Sequence, residues 1–279
     1  MMIRLIQNEL YKIFSLIRSY IGAVLFTIII PLILWGYGKG TSHIENEISG
    51  SVSDMFLIEG SPTNGFTAAY FIMNFFWVHV PFLIALVGGD IFAGEQANGT
   101  FRIYATRPIS RLSIFISKSL ATMIYTLVFV LYFALLTLGL GLVWYGGGDM
   151  LVFHDGILIL EGWDAARRFV IAYAFTFVNM ALVSAIAIFF SSMVRNAVGP
   201  VIGTMAVIIF SLMVSTLPLE IFKGIHPYMF TSYFSNWEQA FHDPIPWADL
   251  FRGMNLVLAN IFLFLGIAYI IFRRKDILS

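Results

Sequence analysis

Long apolar runs, broken by short polar punctuation, set the plan of this chain. From one charged residue to the next there are six uncharged windows: 19 to 38, 60 to 89, 119 to 148, 169 to 194, 196 to 219 and 253 to 272. Each can hold one helix of the roughly 20 residues that cross a bilayer. Barrel strands would alternate polar and apolar residues over about 10 positions, whereas LATMIYTLVFVLYFALLTLGLGL is apolar on every side. The pattern therefore predicts an all-α membrane protein. Six spans are expected at 20–37, 67–92, 117–145, 168–193, 197–217 and 251–272, within one transmembrane domain covering 1–279 and with both termini on one side.

The segments between the spans have their own patterns. In residues 1–18, Ile3, Ile6, Leu10, Ile13, Phe14 and Ile17 form a stripe opposite Arg4, Asn8, Lys12, Ser15 and Arg18. That predicts an amphipathic helix lying in the membrane surface, either as a topology anchor or as a docking lever. Residues 39–65 are acidic and rich in Gly, Ser and Asn, as a solvated connector would be. DMLVFHDGILILE reads as two short strands joined through Asp155-Gly156, with Asp164 placed to cap the fourth span. Residues 218–249 interleave eight aromatic side chains with prolines and suggest short interfacial or re-entrant helices capping the outer side. Pro31 and Pro81 fall inside the first and second spans and should kink them.

Composition agrees with the membrane assignment, since 59% hydrophobic and 11% charged residues exceed what a soluble surface can cover. Charge then orients the spans. With the N-terminus inside, the inner segments hold eleven basic residues against four acidic ones, and the outer segments five against twelve, so a net charge of zero conceals two opposite faces. Basic residues near span ends stay on the cytoplasmic side. The expectation is a multi-pass protein of the cell membrane with both termini cytoplasmic. The basic start followed by an apolar run also resembles a signal peptide, but LWGYGKG offers no cleavage site, so the first helix is expected to stay.

Reaction chemistry is sparse. The nearest approach to a phosphate loop, Gly38-Lys39-Gly40-Thr41, has Gly where Ser or Thr must reach magnesium and Ile33 where the first glycine belongs. The histidines at 43, 79, 154, 226 and 242 lack metal-ligand spacing, and a site from His226, Glu238 and His242 is the one conceivable grouping. No metal, bound cofactor or catalytic residue is expected, and no nucleic-acid partner. Asn74, His79, Asn179, Asn255 and Asn260 are the strong polar groups within spans, suited to interhelical hydrogen bonds or to lining a pathway. Ion-coupled transport normally leaves ionisable groups near the bilayer centre, and His79 alone qualifies.

The most distinctive stretch is the charged island from Gly94 to Lys118. Its arginines fit a plain topology signal, but the pattern E-x-x-x-G-T-x-R-x-x-x-x-x-P-x-S-R-x-x-x-x-x-x-K, from Glu95 through Gly99, Thr100, Arg102, Pro108, Ser110 and Arg111 to Lys118, resembles the cytoplasmic loop of ABC type-2 transporter permeases. NELYKI at Asn8 to Ile13 and FRRKDI at Phe272 to Ile277 extend the likeness to both ends. The resemblance implies a permease subunit of an ABC exporter that lacks its own ATPase. It implies pairing with a second copy or homologue in the lipid bilayer, and binding to a separate nucleotide-binding subunit that holds ATP and Mg. Glu95, Gly99, Thr100, Arg102, Arg107, Pro108 and Arg111 would then form a coupling helix. With the second and fifth helices at the seam between copies, Asn74, His79, Thr204 and Ser211 are the candidate pathway groups, and Phe230, Phe234 and Trp237 the candidates for an outer gate. The implied cargo is amphipathic: a drug, an antimicrobial peptide or a lipid-like molecule. Two rival readings stay open, a secondary transporter and a non-transporting membrane subunit that anchors an ATPase or signals through it.

Overall fold

The computed structural model describes residues 1–52, 64–97, 99, 109–153, 157–217, 224–225 and 228–275, the side chains of 41–52, 153 and 157 excepted. Six helices among them are long and apolar enough to cross a membrane: Arg18–Gly40, His79–Ala97, Arg111–Tyr145, Gly162–Met193, Val198–Thr216 and Trp247–Arg274. This is the architecture of a multi-pass, helical membrane protein.

In chain order the elements are α1 (Met2–Ser15), α2 (Arg18–Val52), α3 (Gly65–Phe76), α4 (His79–Ala97) and α5 (Arg111–Ala134). A π-helical turn (Leu135–Gly139) leads into α6 (Leu140–Tyr145), then strands β1 (Met150–Phe153) and β2 (Ile157–Leu160), α7 (Gly162–Met193) and α8 (Val198–Thr216). Two 3₁₀ turns, Phe230–Tyr233 and Asn236–Phe241, precede α9 (Trp247–Arg274). The strands pair antiparallel with Met150 opposite Leu160, as the two apolar runs on either side of Asp155-Gly156 predict. The turn residues 154–156 themselves lie outside the described residues.

The expected span 67–92 is two helices. The break falls at Trp77 and Val78, four residues before Pro81, where the missing proline N–H and its ring conflict with the Trp77 carbonyl. His79 turns its Nδ1 to within 3.1 Å of the Phe75 carbonyl across this break and stacks on the Phe75 ring. Pro31, in contrast, lies inside an uninterrupted α2. The helices also outrun their apolar windows. Residues 162 to 193 rise about 48 Å as a helix, well beyond the ~30 Å hydrocarbon core. Charged residues close the apolar windows of the sequence, and the helices continue past them.

Asp164 does not cap α7. The N-cap is Glu161, without a side-chain cap bond, and Asp164 sits in the first turn, accepting from Arg167 at 2.6 Å and Arg168 at 2.5 Å. Its carboxylate is taken by the two arginines three and four residues on, a helical pair geometry. Arg168, itself buried, also donates to the carbonyls of Ala240 (3.1 Å) and His242 (2.5 Å). It thereby fastens the second 3₁₀ turn to the start of α7.

The most buried spans are α4 and α7, packed against each other through glycines. A Cβ at Gly88 would stand 3.0 Å from Ala187 Cβ, and one at Gly89 would stand 3.0 Å from Pro200 Cβ of α8. Small residues let helix backbones approach in lipid, where dispersion and hydrogen bonds rather than water exclusion hold helices together. Ser191 of α7 stitches the same contact: its hydroxyl donates to the Gly89 carbonyl at 2.6 Å and accepts from the amides of Phe92 and Ala93 at 3.1 and 3.0 Å. The same core continues where Phe26 of α2 meets Phe76, Phe129 and Phe133, with ring centroids 4.9 to 5.6 Å apart.

Candidate functional site

Four elements far apart in sequence bring charged side chains together at one end of the bundle. α1 supplies Glu9 and Lys12, the end of α4 supplies Asp90 and Glu95, the start of α5 supplies Arg111 and Lys118, and the end of α9 supplies Lys275. Glu9 and Lys12 are three apart and so share a face of α1. Glu95 closes the C-terminal turn of α4, and Lys118 lies two turns into α5.

The centre is a closed ring of two acids and two bases. Lys118 Nζ lies 2.8 Å from Glu9 Oε2 and 2.8 Å from Glu95 Oε1, while Lys12 Nζ lies 2.8 Å from Glu95 Oε1 and 3.1 Å from Glu9 Oε1. Lys118 is fully buried and Glu9 is 3% exposed. A buried ammonium is tolerated only with near-complete compensation. Lys118 finds it in the two carboxylates, the Ile91 carbonyl at 3.2 Å and the face of Phe92, whose centroid is 5.6 Å away. Beside the ring, Arg18 Nη1 meets Asp90 Oδ1 at 2.5 Å. Gly94 permits this, because a Cβ there would fall 2.1 Å from Asp90 Oδ1.

A second set ties in the C-terminal end. Lys275 Nζ donates to Gln96 Oε1 at 2.7 Å and to the Ser192 and Met193 carbonyls at 3.0 and 3.2 Å, so it caps the exposed end of α7. Burial, together with the nearby Arg195, holds its ammonium below the ordinary lysine range. Arg111 Nη1 donates to the carbonyls of Arg273 and Lys275 at 2.7 and 2.9 Å, finishing α9 in the same way. α1, the end of α4, the start of α5, the α7–α8 turn and the end of α9 therefore share one end of the bundle.

Of the seven residues expected in a coupling helix, three are described. Glu95 is engaged within the chain by Lys12 and Lys118. Gly99 has φ +68°, in the left-handed region that suits glycine, and its amide donates to the Gln96 carbonyl at 3.2 Å. Arg111 binds the end of α9. Thr100, Arg102, Arg107 and Pro108 lie outside the described residues, as does His226.

The polar groups within spans mostly serve their own helices. Asn74 donates to the Tyr70 carbonyl at 3.1 Å, Asn260 to Leu256 at 2.9 Å, and Thr204, wholly buried, to Pro200 at 2.7 Å. A carbonyl one turn back is the nearest available acceptor. Asn179 crosses to the Tyr233 carbonyl at 3.1 Å, and Ser211 pairs with Thr231 at 2.7 Å. Phe230, Phe234 and Trp237 are all buried. Trp237 lies against Tyr70, with centroids 5.6 Å apart, and Phe234 and Trp237 line a small cavity with Met73 and Asn179. Sequence reasoning did not single out Glu9, Lys12, Asp90 and Arg18 as partners of the island, nor Lys118 as a buried group.

The helices and this charged end define a multi-pass membrane protein in which α1, the end of α4, the start of α5 and the end of α9 are knit together. The chain belongs to the DUF2705 family, a protein family of unknown function, whose model matches residues 28–278. No curated protein matches the chain.

Proposed function

We propose that this chain is the membrane-spanning subunit of an ATP-driven exporter in the cell membrane, its charged end cytoplasmic, powered by a separate nucleotide-binding subunit that holds ATP and Mg. The observation that carries the reading is convergence. NELYKI, the Glu95-to-Lys118 island and FRRKDI are separated by some eighty and then by more than a hundred and fifty residues. Yet Glu9 and Lys12 of the first meet Glu95 and Lys118 of the second in one ring, and Arg111 of the second meets Arg273 and Lys275 of the third in an adjoining set that reaches the end of α4 through Gln96. A partner that closes on ATP must pull on something stiff. A loop rooted through buried ion pairs in α1 and α5, and through backbone hydrogen bonds in α9, would carry such a pull into several spans at once.

In this reading Arg102 and Arg107 face the ATPase, while Glu95 and Lys118 anchor the loop from behind. Two copies, or this chain with a homologue, enclose the pathway for an amphipathic cargo. The test is co-purification with candidate ATPases. Arg102→Ala and Arg107→Ala are expected to lose association or permease-dependent ATP hydrolysis while the protein still folds. Unchanged association and hydrolysis would overturn the coupling role. ATP-dependent cargo movement in proteoliposomes should require the partner. Movement by the chain alone on an ion gradient would favour a secondary transporter, and association without movement a membrane anchor.

A further inference from the structure

At the elbow between α1 and α2 a cavity of about 570 Å³ opens between the polar side of α1 and the face of α4 that carries Asp90 and Glu95. That volume falls within the ~300–1,000 Å³ typical of small-molecule sites. Leu16 and Val87 give it apolar wall. Its charged groups are layered: Glu9, Asp90 and Glu95 are 3, 10 and 15% exposed, while Lys12 and Arg18 are 43 and 35% exposed. Cations therefore stand at the mouth, with carboxylates beneath them. Asp90 Oδ1 is buried and, apart from its ion pair with Arg18, has no well-directed hydrogen bond. The mouth also sits where headgroups lie, since Ile3 of α1 and Ile17 in the turn after it are uncovered and Arg18 begins the first span.

We propose that this cavity binds the headgroup of a phospholipid carrying both a phosphate and a primary ammonium, as in phosphatidylethanolamine. The Arg18 guanidinium presents a planar fork of donors suited to phosphate, and Lys12 adds a point charge beside it. Glu9, Asp90 and Glu95 are already matched by Lys12, Lys118 and Arg18, so a headgroup bearing only negative charge would add a charge that the cluster leaves without a counter-ion. An ammonium on the same headgroup keeps the balance and donates to the Asp90 carboxylate on the cavity wall, which a trimethylated nitrogen has no N–H to do. The acyl chains leave along the apolar edge of α1. The site does not depend on the transport reading, because it needs only a membrane at the level of α1.

The test titrates the full chain, purified in detergent and stripped of lipid, with dioleoyl-phosphatidylethanolamine, -phosphatidylglycerol and -phosphatidylcholine, with binding read by native mass spectrometry. Phosphatidylethanolamine is expected to bind about tenfold more tightly than the other two, the size of one charge-assisted hydrogen bond. Asn8 lines the mouth and takes part in no ion pair of the ring, so Asn8→Trp should abolish the preference without lowering the lipid-free unfolding temperature. The double variant Arg18→Gln/Asp90→Asn removes both charges together and should do the same. Equal binding of the three lipids, or a preference surviving either folded variant, would overturn the proposal. Soluble glycerophosphoethanolamine binding as tightly as the lipid would overturn a lipid as the occupant.

Discussion

Lys118 and Glu9, 109 residues apart, close at 2.8 Å with both side chains withdrawn from solvent. The contact joins the amphipathic α1 to α5, and Glu95 of α4 shares the same ammonium. Removing one member of such a ring strands charge. Lys118→Met leaves two buried carboxylates and is expected to cost about 3–5 kcal/mol, read as a large fall in the unfolding midpoint in detergent. Adding Glu9→Gln should recover part of that loss rather than add to it, because the second substitution removes one stranded charge. Strict additivity of the two would show that they do not interact.

Two glycines at the opposite end make a backbone contact that no side chain can enter. A Cβ on Gly65 would lie 2.5 Å from both the Gly141 carbonyl carbon and the Leu142 amide, and one on Gly141 would lie 2.8 Å from the Gly65 carbonyl oxygen. Backbone cannot rotate aside as a side chain tip can. Gly65→Ala and Gly141→Ala are each expected to destabilise by about 1–3 kcal/mol or more, separating α3 from α6. Gly40→Ala, where nothing lies within 4 Å, should leave the unfolding midpoint near that of the wild type.

Arg168 makes its own case through backbone groups. Its guanidinium satisfies the carbonyls of Ala240 and His242 beneath a packed Trp237 and Phe241. Arg168→Ala is expected to raise amide exchange in residues 236–243 by at least tenfold while α4 and the lower half of α7 stay protected. Arg167→Ala, at a more exposed partner of Asp164, should change exchange there little. Equal effects from the two would assign the 3₁₀ segment's order to its aromatic packing alone.

The spans were legible because lipid demands a continuous apolar run, and that demand leaves a local trace. The split at Trp77 was legible only as far as Pro81, since proline predicts a disturbed turn without saying whether the helix bends or breaks, and Pro31 passes through α2 unbroken. Lys118 was not legible. As one cation among many on a basic face it reads as a topology signal, and its burial depends on Glu9 and Glu95, which come from two other elements with no shared periodicity. A signal did exist in the acids. The segments expected on the inner side hold four acidic residues among eleven basic ones, and three of the four, Glu9, Asp90 and Glu95, each close on a cation. Sparse opposite charges on a strongly biased face mark ion pairs better than the abundant charges do. In the aromatic segment composition does not tell which rings are covered: Phe230, Phe234 and Trp237 are buried within the chain, while Tyr228 and Trp247 stay exposed.

The orientation of the charged end is open to a direct test, because the chain has no cysteine. Ser110, the N-cap of α5, is exposed at the charged end, and Tyr228, 73% exposed, belongs to the segment that packs at the other. If retained basic residues set the topology, the charged end faces the cytoplasm. In intact cells a membrane-impermeant maleimide should then label Tyr228→Cys and spare Ser110→Cys until the membrane is permeabilised. Labelling of Ser110→Cys alone in intact cells would invert the topology and, with it, remove any cytoplasmic ATPase from reach of Arg102 and Arg107. Labelling at neither position before permeabilisation would place the protein in an internal membrane or bury the Tyr228 segment in lipid, which proteolysis of sealed vesicles distinguishes.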